Sequence, residues 1–68
     1  MASLFVGVLE DIDLERGTIR IGGLEFRIGE SVSLTEFARG IRVLVTYEKR
    51  NGELWIVQIR PSRPLGFF

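Results

Sequence analysis

Two adjacent glycines, Gly22 and Gly23, sit between Thr18-Ile19-Arg20-Ile21 and Leu24-Glu25-Phe26-Arg27-Ile28, and no other feature constrains the fold so tightly. A two-residue loop of glycines supplies the positive φ angles that a tight hairpin demands. It sets Ile21 opposite Leu24 and Ile19 opposite Phe26 on one face, and Arg20 opposite Glu25 on the other. A segment that sorts its side chains in this way at period two is a pair of antiparallel strands with one wet face.

The same period governs most of the chain. Leu4 to Asp13 reads as a long first strand whose apolar run touches apolar surroundings on both faces, with Gly7 easing a bend or bulge. Leu14-Glu15-Arg16-Gly17 is a turn. Ser33-Leu34-Thr35-Glu36 matches a capping box, Val32 and Phe37 a hydrophobic staple, and Gly40 a left-handed stop. Together they predict a short helix from Leu34 to Arg39, after the third strand. The last hairpin, Ile41 to Glu48 and Glu53 to Arg60, admits two loops. A two-residue Asn51-Gly52 loop puts Tyr47 beside Ile56 and mixes Thr46 and Glu48 onto the face of Trp55, Val57 and Ile59. A three-residue loop Arg50-Asn51-Gly52 pairs Tyr47 with Trp55, Val45 with Val57 and Val43 with Ile59, and is preferred as a type I turn with a G1 bulge at Gly52. That register leaves Leu44, Leu54 and Ile56 facing away from the core.

The expected fold is therefore all-β: a small five-stranded antiparallel Greek-key barrel with one short helix between strands three and four. This order resembles the OB-fold and its cold-shock-like members. The resemblance rests on Gly7-Val8 and Asp11-Ile12-Asp13 in the first strand, Gly17-Thr18-Ile19-Arg20-Ile21 in the second and Gly40-Ile41-Arg42-Val43 opening the fourth. It covers roughly residues 4–60 and is one of pattern; an SH3-like barrel or a small meander is the alternative.

Composition narrows the chemistry. With 68 residues, 46% of them hydrophobic, the chain is a single small folding domain over 1–61, followed by an apolar tail over 62–68 that ends Leu65-Gly66-Phe67-Phe68. No Cys and no His are present, which removes disulfides, thiol chemistry, the commonest metal ligand and the commonest general base. Asp11-Ile12-Asp13-Leu14-Glu15 alternates carboxylates without calcium-loop spacing, and no glycine-rich phosphate loop precedes a helix. The expectation is a protein without catalytic residues, metal or cofactor. No apolar run approaches the roughly 20 residues of a membrane span, and the start lacks a signal-peptide pattern, so no membrane association and a cytoplasmic location are expected. Eight of the nine bases are Arg, and Asn51, Gln58 and Met1 stand alone of their kinds, a bias that a thermophile or a GC-rich genome equally explains.

Zero net charge conceals an asymmetry. Up to Glu36 seven acids face three bases, a balance of −4; from Phe37 onward six bases face two acids, a balance of +4. The cold-shock resemblance implies a single-stranded nucleic-acid surface of stacking aromatics on the second and third strands, yet the outward residues there are Thr18, Arg20, Glu25 and Arg27. Phosphate neutralisation is left to Arg20, Arg27, Arg42, Lys49, Arg50 and Arg60, with Tyr47 and Trp55 as candidates for stacking; Arg-Glu pairs on a solvated surface are the plainer reading. A self-associating structural or protein-interaction domain is the second functional expectation. It makes Leu44, Leu54, Ile56, Leu65, Phe67 and Phe68 the candidate interface of a homo-oligomer.

Overall fold

A computed structural model of the chain describes residues 1–29, 32–34 and 37–62. Five strands, β1 (Ser3–Asp13), β2 (Thr18–Ile21), β3 (Leu24–Ile28), β4 (Arg42–Arg50) and β5 (Glu53–Pro61), close into a barrel in the order β1-β2-β3-β5-β4. All neighbours are antiparallel except β3 and β5, which run parallel through Arg27↔Trp55 and Ile28↔Ile56. A meander would pair β3 with β4, so that alternative falls, and the OB-like barrel stands.

The Gly22-Gly23 hairpin has the register that its sequence dictates: Ile21↔Leu24, Arg20↔Glu25 and Ile19↔Phe26, with Gly22 at φ +55° and Gly23 at φ +82°. The long β1 serves two partners. Its first half pairs with β4, from Ser3↔Tyr47 to Val8↔Arg42, and its second with β2, from Leu9↔Ile21 to Asp13↔Thr18. Leu9 is the pivot, donating its amide to the Ile41 carbonyl and accepting from the Gly40 amide, both at 2.8 Å. A bulge follows at once, between Leu9 and Asp11. Bulges bend a strand and increase its twist, as closure of so small a barrel requires.

The last hairpin corrects the expected loop. Arg50 pairs with Glu53 around a two-residue Asn51-Gly52 turn with φ of 51° and 80°, the positive pair of a type I′ hairpin. A bulge then opens between Thr46 and Tyr47 on one side and Ile56 and Gln58 on the other, so that Val57 is the extra residue. It resolves the conflict that made the short loop unattractive. Before it, Leu54 and Ile56 point inward and Trp55 outward; beyond it, Ile59 points inward opposite Val45, and Thr46 lies opposite Gln58. Ile56 is accordingly a core residue, only 3% exposed.

The core consists of Leu9, Ile19, Ile21, Phe26, Val43, Val45 and Ile56. Full burial of each such side chain contributes about 1.5–3 kcal/mol. Phe26 is its centre, with the Phe5 ring 5.8 Å away and the Tyr47 ring meeting it edge-on at 5.4 Å. Val32, Leu34, Phe37 and Ile41, from the segment joining β3 to β4, pack against this cluster from below.

That segment also corrects the expected helix: no described residue between β3 and β4 is helical. Single turns close instead, from the Val32 amide to the Gly29 carbonyl (3.2 Å) and from the Phe37 amide to the Leu34 carbonyl (3.1 Å). Glu36, the second half of the capping box, lies outside the described residues. Physically, a six-residue helix has a costly nucleus and almost no propagation to offset it. Here the chain gains more by inserting Leu34 and Phe37 into the barrel floor than by completing a second turn.

Candidate functional site

The concave apolar surface of this barrel lies at its lower rim, where the end of β1 meets the β3–β4 connection. Asp13 accepts the Arg16 amide on its side chain at 3.1 Å, tightening the turn after β1. Gly17, at φ +69°, carries the chain into β2. Leu14 is thereby held outward, 75% exposed. On the other side the turn from Leu34 to Phe37 presents both of those side chains. Among the described residues, Ile12, Leu14, Leu34 and Phe37 line a groove of about 360 Å³, and none of the four is charged. Leu14 read only as part of a turn, although a large aliphatic isolated between Asp13 and Glu15 is the signal that could have marked it; Leu34 and Phe37 read as helix-face residues and so gave no hint of a groove.

The charged candidates are dispersed, and Arg20, Arg27 and Arg50 are held in ion pairs. Arg20 reaches Glu25 at 4.0 Å across the β2–β3 hairpin, Arg39 reaches Asp11 at 3.9 Å, and Arg50 binds Glu48 at 2.7 Å. Glu48 accepts from Arg50, and this hydrogen bond together with the guanidinium charge holds its carboxyl below the ordinary value. Arg27 donates to Glu53 at 3.2 Å. Arg42 and Arg60 flank Leu44 on the outer face of β4 and β5, and Lys49 lies by the last turn opposite Leu54.

Only Arg27, Arg50 and Trp55 are brought together. Trp55 faces outward between two guanidiniums, those of Arg27 and Arg50 at 5.3 and 5.7 Å from its ring centre. Such cation–π contacts are worth about 0.5–1 kcal/mol each at exposed sites. Tyr47 is on the opposite face, against Phe26. The expected Tyr47–Trp55 pair does not form, because Trp55 stands opposite Glu48 and Tyr47 opposite Ile56. Of the apolar interface candidates, Ile56 is buried, Leu54 is packed against the core and Leu44 is half-buried on the outer face; Leu65, Phe67 and Phe68 lie outside the described residues.

No protein-family model and no curated protein matches the chain. Solved structures do. The barrel is similar to apo-CusF from Escherichia coli, with a TM-score of 0.83 at 20% identity, covering 93% of this chain and 89% of that one. It is similar to silver-bound CusF from the same organism, with a TM-score of 0.82 at 20% identity, covering 93% and 94%. A further Ag(I)CusF structure gives 0.81 at 20% identity over 91% and 99%. These findings overturn the nucleic-acid expectation: the solved structures that the barrel is similar to are of apo or metal-bound CusF, the basic candidates are spread, with Arg20, Arg27 and Arg50 held in ion pairs, and neither Tyr47 nor Trp55 offers an open ring for stacking. Self-association through the last hairpin fails as well, since the bulge at Val57 turns Leu54 and Ile56 inward and nothing supports a homo-oligomer. The cytoplasmic expectation is withdrawn with them: it rested on how this sequence begins, and the solved structures that the barrel is similar to are of CusF from Escherichia coli. At this level of identity the likeness to CusF is one of fold.

Proposed function

We propose that the chain is a non-catalytic binding module that takes a small, uncharged aromatic or branched aliphatic molecule in the groove of Ile12, Leu14, Leu34 and Phe37. The groove itself carries this reading. Its volume of about 360 Å³ falls at the small end of the range of roughly 300–1,000 Å³ found for small-molecule sites, and its described lining residues are apolar, as theirs predominantly are. A second hollow of about 290 Å³ beside Arg27 and Glu53 is lined by opposed charges that already satisfy one another, and so offers a ligand less.

The silver ion of the CusF structures does not come over with the fold. Soft ions take thiolate, thioether or imidazole ligands. This chain has neither Cys nor His, and its one methionine, Met1, is fully exposed at the start of the sequence. Among the described residues no three carboxylates stand close enough to hold a metal ion.

Titration with indole, followed in methyl spectra of the full chain, tests the proposal. Methyl signals of Ile12, Leu14 and Leu34 shift in a saturable way, while those of Val43 and Val45 stay in place. Leu14→Ser weakens binding about tenfold or more, since burial of a leucine is worth about 1.5–3 kcal/mol and 1.4 kcal/mol is a factor of ten. Shifts absent from the groove residues, or equal in the variant, overturn the reading.

A further inference from the structure

The outer face of β1 and β4 carries an apolar strip beside two uncompensated positive charges. Leu4, Val6 and Val8 alternate along β1 and are 68%, 49% and 41% exposed. They span about 13 Å at the usual rise per residue. Leu44 stands opposite Val6 and widens the strip across β4. A sheet face turned to water is normally polar, and a contiguous apolar patch marks a contact.

The charges lie along one flank. Arg42 stands opposite Val8 on β4, and Arg60 stands opposite Leu44 on β5, so the two are diagonal neighbours on adjoining strands. Arg20, Arg27, Arg39 and Arg50 each have a carboxylate within 4.0 Å, whereas Arg42 and Arg60 have none among the described residues. The acids that follow along the same strands are engaged elsewhere: Glu10 accepts the Gly23 amide at 3.0 Å, and Glu48 holds Arg50. The face thus sets apolar side chains on one strand and free positive charge on the next two, the combination that holds a surface element in the interface of an anionic bilayer.

Zero net charge gives the chain no general attraction to an anionic surface, so binding there would come from a local face. No helix among the described residues is long and apolar enough to cross a membrane, and docking on one needs none. The strip lies on the convex outside of a closed barrel, where a peptide finds no walls and a lipid interface deforms to fit.

We propose that this face docks on an anionic lipid bilayer, with Leu4, Val6 and Val8 entering the interface and Arg42 and Arg60 on the lipid phosphates. It is separate from the groove, which lies at the other end of β1.

Sedimentation of the full chain with vesicles tests the proposal. Mixed vesicles of phosphatidylglycerol and phosphatidylcholine carry the parent down at low salt, phosphatidylcholine alone carries far less, and high salt releases it. Arg42→Ser and Arg60→Ser each weaken partitioning about fivefold, the worth of one base beside an anionic surface. Leu4→Ser weakens it as well, and Lys49→Ser, beside the last turn, changes it less. Unchanged Val43 and Val45 methyl signals show that each variant keeps the barrel. No sedimentation, equal sedimentation with phosphatidylcholine alone, or parent-like partitioning of the two arginine variants overturns the proposal. So does saturable binding of an acidic apolar peptide at Val6 and Val8 without vesicle binding. The indole titration of the groove reads different residues, so the two proposals stand or fall separately.

Discussion

Ile56 and Trp55 are adjacent in β5, and their truncations measure which of the two faces the core. Ile56→Ala removes three carbons from a side chain that is 3% exposed. At about 0.8 kcal/mol for each carbon the transfer loss is about 2.4 kcal/mol, and a residual cavity raises it to about 3. Trp55→Ala removes a far larger group, but one that faces outward under Arg27 and Arg50. Its loss is two cation–π contacts of about 0.5–1 kcal/mol each, about 1–2 kcal/mol in all. A chain of this size has a total stability of roughly 3–10 kcal/mol. The first variant forfeits much of that and the second a modest share. Thermal unfolding followed by far-ultraviolet circular dichroism, which does not depend on the lost indole, reads the difference. At about 4–8 °C per kcal/mol for a small domain, Ile56→Ala lowers Tm by about 12–24 °C and Trp55→Ala by about 4–16 °C, a third to two thirds as much. A larger fall for Trp55→Ala would refute the bulge at Val57 as the device that sets the two faces.

Two further predictions concern the turns. Gly22 combines φ +55° with a position where an added Cβ would stand 3.0 Å from the Phe5 ring, so Gly22→Ala destabilises by more than about 1 kcal/mol in urea titrations; Gly23→Ala, with open space around it, costs less. The Glu48–Arg50 pair adds a small stabilisation that is present above the ordinary Glu value near 4.5 and fades as pH falls through the lowered one; Glu48→Gln removes this pH dependence from Tm profiles taken between pH 7 and pH 3.

The degree to which the structure was legible in the sequence varied with how local the deciding interaction was. The β2–β3 hairpin was readable to the residue pair because its turn, register and face separation agree within a short stretch. The last hairpin was misread because a bulge leaves no mark in an alternating pattern: Leu54, Trp55, Ile56 and Val57 are all apolar, and any one of them satisfies the core by composition alone. The capping residues near Ser33 were real helix signals, outweighed by the tertiary advantage of seating Leu34 and Phe37 on the floor of the barrel. The groove was unreadable for the same reason. Its two sides are far apart in sequence and meet only because Leu9 ties the end of the β3–β4 connection to β1.

The parallel seam between β3 and β5 has a kinetic consequence. Both hairpins close through tight turns, whereas Arg27↔Trp55 and Ile28↔Ile56 join residues 28 apart in sequence. Closing that loop costs entropy that two pairings repay slowly. With two register pairs against four to eight at each other strand contact, the seam is the joint expected to open first, along the line where Trp55 and its two arginines meet.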